Sequence, residues 1–317
     1  MKKLITLILT LCLALIAVSA FAAIPKFMTV GTGSTGGAYY PIGVALAEIL
    51  TNKLGTQATA EVTGGSLDNL LLINQGDCDI GIAQGNNMMD AFNGTGDYEG
   101  NAYENINALF GGLSKGYFQV VVRAESPIQS MADLKGKKVC MGPAGNGAIA
   151  VADLIWSKYG FTKDDVNATY VAYDDGITQL EDGNMDAVVI QTAIPASAIQ
   201  QMAAGGKAFR LLNVEEDVAN QLCEEYGYFG YGTIATTVYD NMSEEAHTMF
   251  ISNMVAVRAD LEEDVVYEMT KAIFENLDIV KASHKAASGL TLEGAVRVSI
   301  PMHPGAERYF KEIGAME

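Results

Sequence analysis

Positive charge is scarce in this chain. Twenty Lys and Arg stand against 38 Asp and Glu in 317 residues, a formal charge of −18. Tight binding to a nucleic acid backbone or an anionic lipid surface rewards clustered Lys and Arg, so both partners are excluded as expectations. The catalytic signatures are also thin. No hydrolase nucleophile elbow is expected. The three histidines, His247, His284 and His303, lie far apart and without H-E-x-x-H spacing, so they read as surface or satisfied core residues. Asp182, Asn184 and Asp186 imitate the start of a calcium loop, but Ala187 and Ala193 stand where Gly and Glu are required. No metal and no cofactor is expected. Cysteine is sparse: apart from Cys12 near the N-terminus there are Cys78, Cys140 and Cys223, which match no metal knuckle and cannot all pair, leaving small buried apolar residues as their reading.

Long hydrophobic runs are absent except at the N-terminus. Met1, Lys2 and Lys3 precede an apolar stretch from Leu4 to Val18, and Ser19-Ala20-Phe21-Ala22 places small residues at the −3 and −1 positions of a cleavage site. The stretch is roughly 15 residues, short of the ~20 needed to span a bilayer. Residues 1–22 are therefore expected to be a signal peptide cleaved near Ala22, with a periplasmic mature protein. Cleavage also removes Lys2 and Lys3, taking the formal charge from −18 to −20. Leu11 before Cys12 argues against a lipoprotein signal.

What remains is globular in composition, with 49% hydrophobic and 18% charged residues, and long enough for two domains. Strand-like and helix-like segments alternate. The pattern predicts strands over 27–30, 58–62 and 79–83 and near Val120, Val139, Val171, Val188 and Leu211. It predicts helices over 41–53 and from a Ser66 cap to Gln75, with others near Ala150, Thr178, Ile199 and Asn220. Ser130 is expected to cap a short turn running into the Val139 strand. Such alternation predicts an α/β fold of parallel sheets flanked by helices. The boundary between lobes is expected near Arg123–Ser126. Residues 23–123 and 233–317 would form lobe 1, and 124–232 lobe 2. The final segment would return as helices around 262–276 and a tail over 301–313.

One local pattern occurs twice. Gly31 to Gly37 (GTGSTGG) follows a strand and opens a helix, and Met141 to Gly147 (MGPAGNG) does the same about 110 residues later. Each turn offers backbone N–H groups and a helix N-terminus, which suit a carboxylate. Facing one another, they would form a clamp. Of Tyr39, Tyr40, Tyr117, Tyr228 and Tyr231, only Tyr39 directly follows a glycine turn and is expected in the cleft; core packing is the reading for most of the others.

These residues carry a resemblance to a known family. GTGSTGGAYYPIG from Gly31 to Gly43 and TGGSLDN from Thr63 to Asn69 resemble the TAXI family of solute receptors for TRAP transporters. NGTG at Asn93, LKGKKV at Leu134, LEEDVVY at Leu261 and HPGA at His303 extend the likeness over the mature chain. The resemblance implies a two-lobe, hinged periplasmic binding protein of the Venus-flytrap type, monomeric, delivering its ligand to the membrane subunits of an ion-gradient-driven transporter. Carried over by position, the ligand-facing residues are Ser34, Thr35, Gly36, Gly37, Tyr39, Ser66, Asn69 and Gln84, with Asn146, Gly147 and Gln191 from the second lobe. Relatives often place a charged residue after the second glycine stretch, where this chain has Asn146-Gly147-Ala148-Ile149. Without a guanidinium there, a ligand with a single carboxylate, such as a monocarboxylate or amino acid, is expected. A dicarboxylate of the glutamate or 2-oxoglutarate type is the alternative, and it requires Arg123 or Arg210 to point into the cleft.

Two rivals come from other classes. Gly31-x-Gly33-x-x-Gly36 matches dinucleotide-binding spacing, and Glu61 sits where a ribose-binding acid belongs, which would make an oxidoreductase. A secreted protein meets little free nicotinamide cofactor, and the clamp explains the same glycines, so no enzyme is expected. The other rival is an adaptor with no small ligand.

Overall fold

The computed structural model describes residues 23–242 and 244–317; the expected signal peptide lies outside them. The first strand, β1 (Phe27–Gly31), buries Met28 and Val30 on one face. Helix α1 (Tyr39–Leu54) follows, burying Ile42, Leu46, Ile49 and Leu50, and stops at Gly55 in a left-handed conformation. Next come β2 (Gln57–Glu61), α2 (Ser66–Gln75), β3 (Ile80–Gln84) and α3 (Gly85–Asn93). Ser66 is the first residue of α2 and not its cap. Gly65 takes the cap position at φ 120°, a backbone geometry open to glycine, and the Ser66 hydroxyl instead accepts the Gln84 N–H at 3.1 Å.

A long strand, β4 (Ile106–Arg123), leads through a 3₁₀ turn at Met131–Leu134, closed by a Ser130–Asp133 capping box, to β5 (Lys138–Cys140). The chain continues as α4 (Ala148–Ser157), β6 (Asn167–Thr169), α5 (Tyr173–Glu181), β7 (Ala187–Ala193), α6 (Ser197–Ala204), β8 (Phe209–Leu211) and α7 (Glu216–Glu225). The strand expected near Val171 ends two residues earlier, and Val171 lies in the link to α5. Two strands then appear that the apolar pattern did not announce, β9 (Phe229–Ile234) and β10 (Ala246–Arg258). Helices α8 (Glu263–Glu275), α9 (Leu277–Ser283), α10 (Leu292–Ala295) and α11 (Pro304–Glu312) complete the chain.

The strands form one sheet in the order β2-β1-β3-β10-β4-β7-β5-β6, with β8 on β4 and β9 on β10. Its two ends are parallel, as expected: β1 runs with β2 and β3, and β5 with β6 and β7. Its middle is antiparallel, because β4 and β10 pair with each other and against β7 and β3. These two strands, 18 and 13 residues long, run between two sets of helices.

The apolar cores change along the strands themselves. Leu109, Phe110 and Leu113 of β4 pack with α1, α8 and α11, whereas Phe118, Val120 and Val122 pack with α4 and the 3₁₀ turn. In β10, Met249 and Ile251 belong to the second core and Val255 and Val257 to the first. The change of core therefore falls inside β4 and β10, before the turn at Arg123 and beyond Gly232. A strand can serve two cores because its hydrogen bonds are made sideways to neighbours and leave both ends free to pack. Cys78 and Cys140 are buried, Cys223 is partly exposed, and all three are free thiols.

Candidate functional site

The parallel strands of both halves point their carboxyl ends toward the space between the two cores, where ligands settle in open α/β sheets. Gln84 ends β3, and Gln191 lies near the end of β7. Between them is a small cavity lined by Ser34, Gly37, Tyr39, Ser66, Gln84, Asn146, Gly147 and Gln191 from the expected set, joined by Gly33, Gly64, Gly65, Tyr173 and Thr192. Thr35, Gly36 and Asn69 do not line it.

The first glycine turn is used in an unexpected way. Its polar groups reach across to the opposite half. Thr35 Oγ1 donates to Asp174 Oδ2 at 2.7 Å, the Tyr173 N–H donates to Ser34 Oγ at 3.1 Å, and the Ala38 N–H donates to Thr192 Oγ1 at 2.9 Å. The Gly36 carbonyl accepts the Ala198 N–H at 3.0 Å. A Cβ on Gly36 would lie 2.0 Å from Asp174 Oδ1 and 2.9 Å from the Ala198 Cβ. Gly36 thus serves the approach of the two halves and does not line the cavity.

The second turn is braced from within. Asn146 Nδ2 donates to the Met141 and Pro143 carbonyls at 3.0 and 2.6 Å, and its Oδ1 accepts the Ala148 N–H at 2.6 Å. Its amide is already spent on shaping the loop, although the residue borders the cavity. The turn presents the Gly145 carbonyl to the opposite half, where the N–H groups of Leu67 and Asp68 donate to it at 3.0 and 3.4 Å. The N-terminus of α2 therefore receives a backbone carbonyl. Asn69 is likewise structural. It is fully buried, donates to the Thr32 and Ile82 carbonyls at 2.6 and 2.8 Å, and accepts from Thr63 Oγ1 at 2.7 Å.

The groups left over face the cavity. Gln191 is buried, and neither its amide oxygen nor its amide nitrogen has a partner; Gln84 Oε1 is in the same state. An orphaned buried polar atom costs about 1–3 kcal/mol, so these amides mark a place built for something that bonds to them. Tyr39 donates its hydroxyl to Asn253 Oδ1 at 2.7 Å, and Asn253 donates to Ser114 Oγ at 2.9 Å, linking the cavity wall to β10 and β4. Burial pushes the phenols of Tyr39 and Tyr173 well above their ordinary value, so both stay neutral and neither serves as a base near pH 7.

Among the described residues no charged side chain lines the cavity. Arg123 donates to the Leu180 and Met185 carbonyls and pairs with Glu125. Arg210 is held by Gln129 and the carbonyls of Ala124, Ser126 and Ile128. Both lie away from the cleft. The space itself is about 20 Å³, roughly one ordered water, because the halves are drawn together.

Sequence reasoning missed Tyr173, Asp174 and Thr192. The adjacent acids Asp174 and Asp175 in the first turn of α5 signal a helix start, but nothing local shows that Asp174 receives hydroxyls from residues 139 and 140 positions away. Of the other tyrosines, Tyr40 lines an outer hollow, Tyr117 lies beside Ile194 near the crossing strands, and Tyr228 borders a second groove between the halves.

The sequence profile of the NMT1-like family matches residues 30–314. The chain belongs to the NMT1-like family. Solved structures share the fold at low identity. One described as a periplasmic transporter is 14% identical with a TM-score of 0.54, covering 94% of each chain. A binding-protein component of an ABC phosphonate transporter from Pseudomonas aeruginosa is 10% identical with a TM-score of 0.50, covering 81% of this chain and 78% of its own. The effector-binding domain of a BenM variant is 12% identical with a TM-score of 0.50, covering 86% of this chain and all of its own. At these identities the likeness establishes the mixed α/β, two-lobe fold of periplasmic binding proteins for this NMT1-like chain. Among the described residues no helix is long and apolar enough to cross a membrane.

Proposed function

We propose that this chain is a periplasmic solute receptor and not an enzyme. It captures a small molecule with a single carboxylate, a monocarboxylate or an amino acid, between two lobes, and delivers it to an ion-gradient-driven TRAP transporter as TAXI receptors do. The lobes divide within β4, between Leu113 and Phe118, and within β10, between Ile251 and Val255, so that these strands are the hinge. One observation carries the reading. Gln84 and Gln191 reach from opposite lobes into one cavity with amide atoms unpartnered, and among the described residues no charged side chain lines it. Neutral donors and acceptors can satisfy one carboxylate but compensate a second buried charge poorly. The cavity holds about one water with the lobes closed, so ligand enters only when they separate. The Gly31–Gly36 glycines support this reading over dinucleotide binding, because Gly36 meets Asp174 and Ala198 where a pyrophosphate would have to lie.

Calorimetric titration of monocarboxylates, amino acids and dicarboxylates tests the ligand class. The tightest ligand is expected to carry one carboxylate, and a dicarboxylate binding tenfold tighter than every other compound refutes that choice in favour of the glutamate type. Intact mass of the exported protein should begin at Ala23, and retention of Met1 refutes cleavage.

A further inference from the structure

The cleft does not end at the central cavity. Beyond Gly147, whose absent Cβ leaves 2.4 Å to Asn87 Oδ1, it opens into a groove of about 590 Å³ walled by α3 and the loop after it on one side, and by α4 and the approach to β9 on the other. We propose that this groove is a second binding site, whose occupant is a small organic cation of the aliphatic amine class.

Three buried side chains along the groove carry oxygens without partners: Asn86 Oδ1, Asn87 Oδ1 and the Tyr98 hydroxyl. They are 4%, 2% and 5% exposed. Orphaned amide oxygens call for a donor, and an ammonium group brings up to three with no acceptor of its own. The carboxylates of Asp90 and Asp97 line the same groove, and Asp153 in the facing wall is paired with Lys163 at 2.7 Å. The negative field is felt locally. Burial raises the Tyr98 phenol, and the charges of Asp97, Asp90 and Asp68 raise it further; Tyr228 is raised by burial and then by Asp90. Tyr226 and Tyr228, with ring centroids 5.6 Å apart, line the opposite wall, and aromatic rings attract cations.

The geometry selects an organic cation over a metal ion. Among the described residues no three His, Cys, Asp or Glu side chains come together as metal ligands. A compact dication requires six or more oxygens at short range, whereas these are spread along a space of small-molecule size. Because both lobes contribute walls, an occupant would hold the closed form.

The test is calorimetry on the exported protein with 1,4-diaminobutane, n-butylamine and tetramethylammonium at constant ionic strength, beside calcium chloride. At least one amine is expected to bind saturably. Asp90→Asn should weaken it at least tenfold, and Asp97→Asn, in an exposed loop where folding is not at stake, at least threefold. Gln191→Ala should leave amine binding within twofold. The proposal is overturned if no amine saturates, if calcium binds more tightly than every amine, or if both aspartate variants bind as the parent does. Loss of amine binding in Gln191→Ala also overturns it, since the amine would then occupy the central cavity.

Discussion

The two glycine turns look alike in sequence and behave differently in the fold. The turn from Gly31 to Gly37 spends its hydroxyls and backbone on the opposite lobe, at Tyr173, Asp174, Thr192 and Ala198. The turn from Met141 to Gly147 spends its one amide side chain on itself and offers the other lobe a single carbonyl. Glycine serves contact between lobes in both turns, at Gly36 against Asp174 and at Gly145 and Gly147 against Asp68 and Asn87, and in the second it also gives loop shape, with Gly142 and Gly145 at φ of 78° and 80°. The polar side chains of both turns are spent within the protein, and the unpartnered glutamine amides lie between the turns.

The largest expected effect breaks the first turn. Gly36→Val places carbon where Asp174 and Ala198 now lie, so the lobes cannot close as they do here. Solute affinity should fall at least about 100-fold, roughly 2.7 kcal/mol, with the melting temperature of the unliganded protein changed little. A small-angle scattering profile that stays expanded when solute is added would place the defect in closure. Unchanged affinity would remove the turn from the account.

Asn146→Ala sharpens the contrast from the other side. It removes three hydrogen bonds that hold the second turn, so stability should fall by about 1–3 kcal/mol in urea unfolding. If Asn146 instead loses solute binding with stability unchanged, its amide contacts the ligand directly and the contrast fails. A smaller change follows from Asp174→Ala, which strips the Thr35 and Ser34 hydroxyls of their acceptor. Closure should weaken by about 1 kcal/mol, read as roughly fivefold in affinity.

The smallest effect lies outside both turns. His303 donates from Nε2 to the Leu261 carbonyl and accepts the Gly305 N–H on Nδ1, a pattern that only the neutral ring can make. Burial lowers its pKa below the ordinary 6.5. The unfolded chain therefore binds the proton more readily, so this contribution is present above pH 6.5 and is lost as pH falls through the lower folded value. His284 is shifted the same way by burial. Melting temperature should decline below pH 6.5, and His303→Gln should flatten part of that decline.

What was legible in the sequence was local. Strand, glycine turn and helix are written into residues 27–54, where Gly55 ends the helix, and the βα units of the second lobe were readable for the same reason. The hinge was not. In β10, Met249, Phe250, Ile251, Met254 and Val255 are interrupted by Ser252 and Asn253, so no period-two alternation appears, and Asn253 is buried because Tyr39 and Ser114 bond to it. Site residues divided similarly. Gln84 ends β3, Gln191 lies near the end of β7 and both line the cavity, whereas the Asn69 amide is satisfied by Thr32 and Ile82 backbone from distant segments and that of Asn146 by its own turn. Asp174 meets Thr35 across 139 residues, a contact that leaves no trace in either neighbourhood.

The central claim is that a solute sits between the two glutamines without a cation. A crystal structure of the exported protein with its bound solute tests it most directly. The account predicts one molecule hydrogen-bonded to both the Gln84 and Gln191 amides, with no arginine or lysine in hydrogen-bonding reach. A solute held by a cation, or one that leaves either glutamine amide unpartnered, would contradict it.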